Sequence, residues 1–291
     1  MRTIKMPFCE IAEGVYEIDE FDLVSVFVIV GSERALVIDT GTGAGDLRRF
    51  IETKITDKPY DVVISHAHGD HNGGAGFFDK VYVHPLDMNW DIPGVTPTLE
   101  FRRDYARTIA RREGKHYDYD VEKDIVEWEK PPEKLPMEDG QVFDLGDRKV
   151  TAYHCPGHTA GEMVFIDDKS RILFLADACN CNLLLAHGFG KDARDEAETA
   201  KAGLERLLSM KGKWDCFYNA HHDFRGLGQT LYPSAIQDAI NCYESLLSGT
   251  AEFHKEADPL FLDNPPKVFA QSGVVKISYM DGDISKAFPN K

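Results

Sequence analysis

Long apolar runs are missing from this 291-residue chain; none approaches the roughly 20 residues that a bilayer-spanning helix needs, so no membrane span is expected. The first seven residues carry Arg2 and Lys5 without an apolar stretch behind them, and Glu10 and Glu13 follow. That pattern predicts no secretory leader and a cytoplasmic location. Cysteine is sparse and scattered: Cys9, Cys155, Cys179, Cys181, Cys216 and Cys242 contain no CxxC pair. The spacing argues against a zinc knuckle or a thioredoxin-like site and favours reduced, mostly buried thiols. Positive charge is also in deficit, with 33 Lys and Arg against 49 Asp and Glu and a net charge of −16. A polyanion would be repelled over most of such a surface, so no nucleic-acid partner is expected and a small-molecule substrate is. Low-complexity tracts, solenoid-period repeats and an evident linker are absent too. With 43% hydrophobic residues, the chain has the means to bury one large core, and a single domain over 1–291 is expected.

Against these absences stands one dense stretch: Ser65, His66, Ala67, His68, Gly69, Asp70 and His71, running into Asn72, Gly73 and Gly74. Ahead of it Val62, Val63 and Ile64 end a short apolar run that reads as a buried strand. The strand would deliver three histidines and an aspartate into one loop at its C-terminal end. Zinc favours imidazole nitrogen and accepts carboxylate oxygen. His66 and His68 can flank one metal, because alternate residues of extended chain point the same way. Asp70 and His71 lie beyond Gly69, where the backbone can turn and aim them elsewhere. One loop can thus offer two ligand pairs to two neighbouring metals.

The rest of the chain reads as α/β. Residues 15–18, 23–30 and 35–38 predict an opening set of antiparallel strands, and 46–55 a helix burying Leu47, Phe50 and Ile51. Residues 80–84 predict a strand whose last residue, His84, sits before Pro85 and reads as structural. A helix over 99–113 with Thr98 as its cap and a second over 121–130 are expected next. Hairpins follow over 141–146 with 149–154 and over 162–167 with 171–175. Helices are predicted over 192–210 and 233–247, and strands over 214–219 and 274–279. His187 is a further histidine with no assigned role.

The run from His66 to His71 resembles the HxHxDH signature of the metallo-β-lactamase fold superfamily. Cys155 to Gly161 resembles that family's PGHTxG motif, Ala176-Asp177-Ala178 its aspartate motif, and Ala220-His221 its terminal histidine. The resemblance is strong over 15–80 and 140–222. It implies an αββα sandwich, two mixed sheets back to back with helices outside. It places Asp39, on a tight turn, beneath the metals. His66, His68 and His158 would take the first metal, with His154 the local rival to His158. Asp70, His71 and His221 would take the second, and Asp177 would bridge. His222 would stand behind the ligands with a part in substrate handling. Cys179 and Cys181, close to Asp177, keep a metal or redox role open. Residues 86–135, with their Arg and Tyr side chains, would form a helical cap over the site.

By the same resemblance the cofactor is zinc, two ions per chain. Di-iron relatives carry glutamate where this loop has a third-position histidine. The activity implied is that of a glyoxalase-II-like hydrolase, in which a zinc-activated hydroxide, oriented by Asp70, attacks an acyl bond of a small molecule: a thioester, lactone or ester. Phosphodiesterase, nuclease or β-lactamase activity on the same fold stays open, as does a non-catalytic metal or redox module. So does the choice between monomer and homodimer.

Overall fold

A computed structural model describes residues 1–91, 96–113, 117–186, 188–258 and 264–290. The chain opens as a meander of β1 (Phe8–Ala12), β2 (Val15–Asp19), β3 (Ser25–Val30) and β4 (Ala35–Ile38), all antiparallel. Three parallel strands extend it: β5 (Tyr60–Val63), β6 (Lys80–Val83) and β7 (Glu133–Pro136), completing a seven-stranded sheet in chain order. A second sheet holds β8 (Val142–Asp144), β9 (Lys149–His154), β10 (Met163–Asp167) and β11 (Ile172–Phe174) as antiparallel neighbours, with a later strand, Cys216–Tyr218, parallel to β11 at its edge. Between β11 and that edge strand, β12 (Asn182–Leu185) departs to a third sheet, which makes Cys216–Tyr218 strand β13. The third sheet is completed by β14 (Phe253–Glu256), β15 (Lys267–Ser272) and β16 (Val275–Tyr279) in the order β12, β16, β15, β14.

Strand alternation sorts the side chains into layers. Phe27 and Ile29 of β3, Leu36 and Ile38 of β4, and Val63 of β5 face Val150, Ala152, Met163, Phe165, Ile172 and Phe174 of the second sheet in one buried core. Their neighbours Val26, Val28, Val37 and Val62 face outward instead. There they meet Leu47 and Phe50 of α1 (Leu47–Phe50), which runs on as a π-helical turn over Ile51–Ile55. The loop after β5 contains the short helix α2 (Gly69–Asn72). Tyr105, Ala106 and Ile109 of α3 (Leu99–Glu113) join the same outer layer, as does Ile125, just past the short helix α4 (Val121–Asp124). Behind the second sheet, Val164, Ile166, Leu173 and Phe217 pack on Ala200, Leu204 and Leu207 of α5 (Ala193–Ser209) and on Ile236, Ile240 and Tyr243 of α6 (Ala235–Ser248). The fold is therefore the expected αββα sandwich. The third sheet, with Ala270, Val275 and Ile277, and the closing helix α7 (Ile284–Ala287) share that last core. Among the described residues no helix is long and apolar enough to cross a membrane.

Several local expectations change. The second predicted strand starts at Ser25 rather than at residue 23, because Phe21 and Asp22 take positive φ in the turn before it. The helix predicted over 121–130 stops at Asp124. Arginines of α3 take the carbonyls that a longer helix would need: Arg103 donates to Glu122 O and Ile125 O, and Arg102 to Val126 O. Arg102 is 1% exposed, so this part of the arginine-rich helix is an internal clamp and not a solvent face. Thr98 caps α3 as expected, its hydroxyl oxygen accepting from the Phe101 amide. Strands β1, β7, β12, β14 and β15 were not predicted. β7 ends on Pro136 at a sheet edge, and β14 and β15 are half-exposed, which weakens their alternation.

Phe165 lies fully buried between the sheets, opposite Phe174, whose ring is 4.9 Å from that of Phe27. Phe165→Ala should lower unfolding free energy by about 3–5 kcal/mol in a urea or guanidinium titration.

Candidate metal centre

The site is assembled at strand ends from both halves of the sandwich. β4 and β5 run parallel, so the residues that follow them lie side by side. Asp39, one residue past β4, takes φ of +68°, a conformation rare outside glycine. Its Oδ1 accepts from the Ser65 amide at 2.7 Å and its Oδ2 from the Ser65 hydroxyl at 2.8 Å. The same Oδ2 accepts from His71 Nδ1 at 2.9 Å. A ring that donates through Nδ1 presents Nε2 as a lone pair on its opposite edge. His158, in the loop after β9, uses the same device, with Nδ1 donating to Leu184 O at 3.1 Å. Asp177 follows β11, and its amide donates to Glu162 Oε1. His221 follows β13, with its carbonyl accepting from the Asn219 side chain.

The inward atoms converge. His68 Nδ1 lies 2.8 Å from His158 Nε2. Asp177 Oδ2 is 3.2 Å from His221 Nε2, 3.5 Å from His158 Nε2 and 3.7 Å from His71 Nε2. Asp70 Oδ2 is 3.6 Å from His221 Nε2 and 3.7 Å from His71 Nε2. Three groups of donor atoms, each within 4.8 Å of one another, overlap here: His66, His68 and His158; His66, His71 and Asp177; Asp70, His71 and His221. Three buried atoms in the cluster, His66 Nε2, His71 Nε2 and Asp177 Oδ1, have no hydrogen-bond partner among the described residues. Buried polar atoms are normally satisfied. Two imidazole nitrogens and a carboxylate oxygen left bare in one place are a donor set that fits a zinc-like cation.

Electrostatics agree with that fit at the three-histidine pocket and at the two carboxylates, but not at His71. Burial, helped by the neighbouring imidazoles, pushes His66 well below the usual histidine range and His68 down to about 3. Burial also lowers His158, against the pull of Asp177. These rings are neutral at pH 7, which is the form that ligates. Burial works against ionisation of Asp177, but His221 and His71 outweigh it and hold the carboxyl well below its usual range. Asp70 is lowered in the same way by His71 and His221. His71 moves the other way: burial lowers it, yet Asp70 and Asp39 together push it well up.

Other predicted residues fall outside the cluster. His154 donates to Ala160 O at 2.8 Å and stacks on His84 with centroids 4.2 Å apart, so the rival to His158 is a structural residue. His222 turns into a separate buried network, 2.9 Å from Asp22 Oδ1 and 3.7 Å from Asp19 Oδ2, with Nδ1 toward Ser25 Oγ. Every hydrogen-bonding atom of that ring faces a partner, and it braces the chain after His221 against the β2–β3 turn. Burial pushes the Cys179 thiol well up, and no cysteine belongs to a potential metal-holding group among the described residues. His187 lies outside the described residues.

Three residues unmarked in the sequence reading touch the cluster. Tyr105 of α3 donates to Asp70 Oδ2 at 3.0 Å. Glu162, fully buried, has Oε2 3.5 Å from His66 Nδ1; burial and Asp177 push its carboxyl well up. Asp87 accepts from the backbone of the His66–His68 loop. No spacing rule finds these residues, because each meets its partner across tens of positions in the chain. Only Glu162, next to the glycine of the PGHTxG-like motif, carried a local hint.

Asp39→Ala should leave the Ser65 amide and His71 Nδ1 unpaired in a buried setting. The expected cost is about 1–3 kcal/mol for each buried group left unsatisfied, read as a lower denaturation midpoint of the metal-free protein.

Comparison with known proteins bears on this geometry. The family profile described as metallo-beta-lactamase superfamily matches residues 19–196. The chain is 30% identical over 167 residues to the acyl-coenzyme A thioesterase MBLAC2 of Homo sapiens, across 53% of this chain and 57% of that protein. It is 32% identical over 184 residues to the atrochrysone carboxyl ACP thioesterase dmxR1 of Cryptosporiopsis sp. (strain 8999), across 62% of this chain and 43% of that protein. The chain thus spans about half the length of the curated relatives it matches. Among solved structures, the metallo-beta-lactamase from Pontibacter korlensis aligns with a TM-score of 0.54 at 18% identity, covering 82% of this chain and 99% of that one. The sec-alkylsulfatase Pisa1 from Pseudomonas sp. aligns with a TM-score of 0.57 at 17% identity, covering 83% of this chain and 42% of that one. At such identities the structural likeness bears on the fold alone. The profile match over more than half of the sequence, together with that fold, establishes that the chain belongs to the metallo-beta-lactamase superfamily.

Proposed function

We propose that this protein is a dinuclear zinc hydrolase that cleaves acyl thioesters of small molecules or carriers. The observation that carries the reading is the Asp177 carboxylate, whose Oδ2 stands within 3.2–3.7 Å of His221, His158 and His71, ring nitrogens drawn from both proposed metal pockets. A carboxylate so placed suits a bridge between two ions. His66, His68 and His158 would hold the first zinc, and Asp70, His71 and His221 the second. The curated relatives point from hydrolysis in general to thioesters, since acyl-CoA and acyl-carrier thioesterases stand among them.

Zinc bound there supplies Lewis acidity toward a carbonyl oxygen and brings the pKa of water to near neutrality. The protein's own groups do the rest. Asp70, kept ionised and fixed by the Tyr105 hydroxyl, can accept a hydrogen bond from the attacking water and set its direction. Asp39 and Leu184 O keep His71 and His158 in the ligating tautomer. Residues 86–135 form the proposed cap. Phe101 packs against Gly69, where an added Cβ would come within 2.2 Å of its ring, and Trp128 donates to Gly73 O. Arg102, Arg103 and Arg107 are committed to contacts within the insert, whereas Phe101 and Trp128 are rings of the insert that reach the ligand loop.

Two measurements test the reading. Protein stripped of metal and reconstituted should carry two zinc ions per chain by elemental analysis. His221→Ala should drop to one and His222→Ala should keep two; a wild-type ratio of one overturns the dinuclear site. In zinc-loaded protein, kcat/KM for acyl thioesters should exceed that for β-lactams and bis-aryl phosphodiesters by at least about a hundredfold, or about 2.7 kcal/mol of transition-state stabilisation. A β-lactam or phosphodiester leading by that factor overturns the thioesterase reading.

A further inference from the structure

We propose that Asp87 is a positioning residue for the three-histidine pocket, clamping together the two loops that carry His66, His68 and His158. The inference rests on the metal reading above and adds a residue to it. Asp87 ends a short turn, Pro85–Asp87, directly after β6. It is 6% exposed. Its Oδ2 accepts from the Ala67 amide at 2.9 Å and from the Thr159 hydroxyl at 2.7 Å, and its Oδ1 accepts from the Gly161 amide at 2.8 Å. Ala67 lies between His66 and His68, and Thr159 directly follows His158. Both carboxylate oxygens are thus spent on the two histidine loops, one from each half of the sandwich.

Two features mark this contact as specific. First, no Lys or Arg among the described residues forms an ion pair with Asp87, so its buried charge is held by hydrogen-bond donors of the ligand loops alone. Burying a carboxylate without a cation is costly unless its lone pairs are filled in this way. Second, Gly161 is shaped to admit it. A Cβ built on Gly161 would lie 2.6 Å from Asp87 Cγ and 2.7 Å from its Oδ1. Gly161 has no positive φ, so close approach and not backbone conformation explains the glycine there. The joint that Asp87 closes is the one across which His68 Nδ1 and His158 Nε2 stand 2.8 Å apart. Apart from this carboxylate, the backbone bond from Met163 N to Ser65 O at 2.9 Å ties the same two loops. Asp87 also stands at the root of the 86–135 insert, so the proposed cap is anchored on the ligand loops.

The test uses the full chain and zinc as the probe, in competition with a chromophoric chelator. Wild-type protein is measured first: failure to bind zinc overturns the metal reading itself, and this proposal with it. In a His221→Ala background, where the remaining zinc reports the three-histidine pocket, Asp87→Ala should weaken zinc binding about 10- to 100-fold. Asp87→Asn, which keeps one acceptor oxygen, should fall between. Thr159→Val, which removes one donor, and Gly161→Ala, which displaces the carboxylate, should each weaken zinc in the same direction and serve if Asp87→Ala does not fold. A merely structural residue would lower the melting temperature of metal-free protein and leave zinc affinity unchanged. Normal zinc affinity in folded Asp87 or Thr159 variants, with normal wild-type binding, overturns the clamp while leaving the metal reading intact.

Discussion

A nest of imidazoles and carboxylates, its donor atoms in overlapping groups within 4.8 Å of one another, does not hold its shape unaided. Each ring must be gripped from behind, or it turns to satisfy its own lone pairs. Asp39 is the main grip in this protein. Its strained backbone aims one carboxylate at Ser65 and His71 together, so that the loop and its last ligand are set by the same group. The strain is affordable because β4 and β5 run parallel, and their paired ends over-determine the turn.

The sandwich explains why the grip works across the whole site. Its two sheets share an inner core of large apolar side chains, which fixes the strand ends relative to one another. The loops after β4, β5, β9, β11 and β13 then open at one edge; the last four bring the donor atoms, and the first brings Asp39 behind them. Hydrogen bonds to Leu184 O and Glu162 Oε1, and one donated by the Asn219 side chain, orient what the strands deliver. The insert adds a further layer through Tyr105, Phe101 and Trp128, while its arginines brace its own backbone.

Fold membership and activity rest on different grounds. The structural neighbours at TM-scores of 0.54 and 0.57 carry names as different as metallo-beta-lactamase and sec-alkylsulfatase, so the fold does not choose a substrate. The proposal of a thioester substrate rests on the place of Asp177 among three imidazole nitrogens and on the names of the curated relatives, taken together.

The sequence by itself determined the α/β class, most of the central strands and the residues brought together in the site. It could do so because metal ligands are crowded into short motifs, and because alternating Val, Ile and Phe mark half-buried strands. The resemblance of Cys155–Gly161 to the family motif points to His158 over its rival His154, and the structure brings His158 into the cluster and leaves His154 on its strand. Only the tertiary structure decided the residues that hold those ligands. Asp87 meets partners 20, 72 and 74 positions away, and Tyr105 meets Asp70 across 35. Such contacts leave no periodicity, since each depends on how sheets and insert pack and not on local spacing. Of the third sheet only β16 was legible; β12, β14 and β15 become strands through pairing partners supplied from far along the chain, as β12 does on β16.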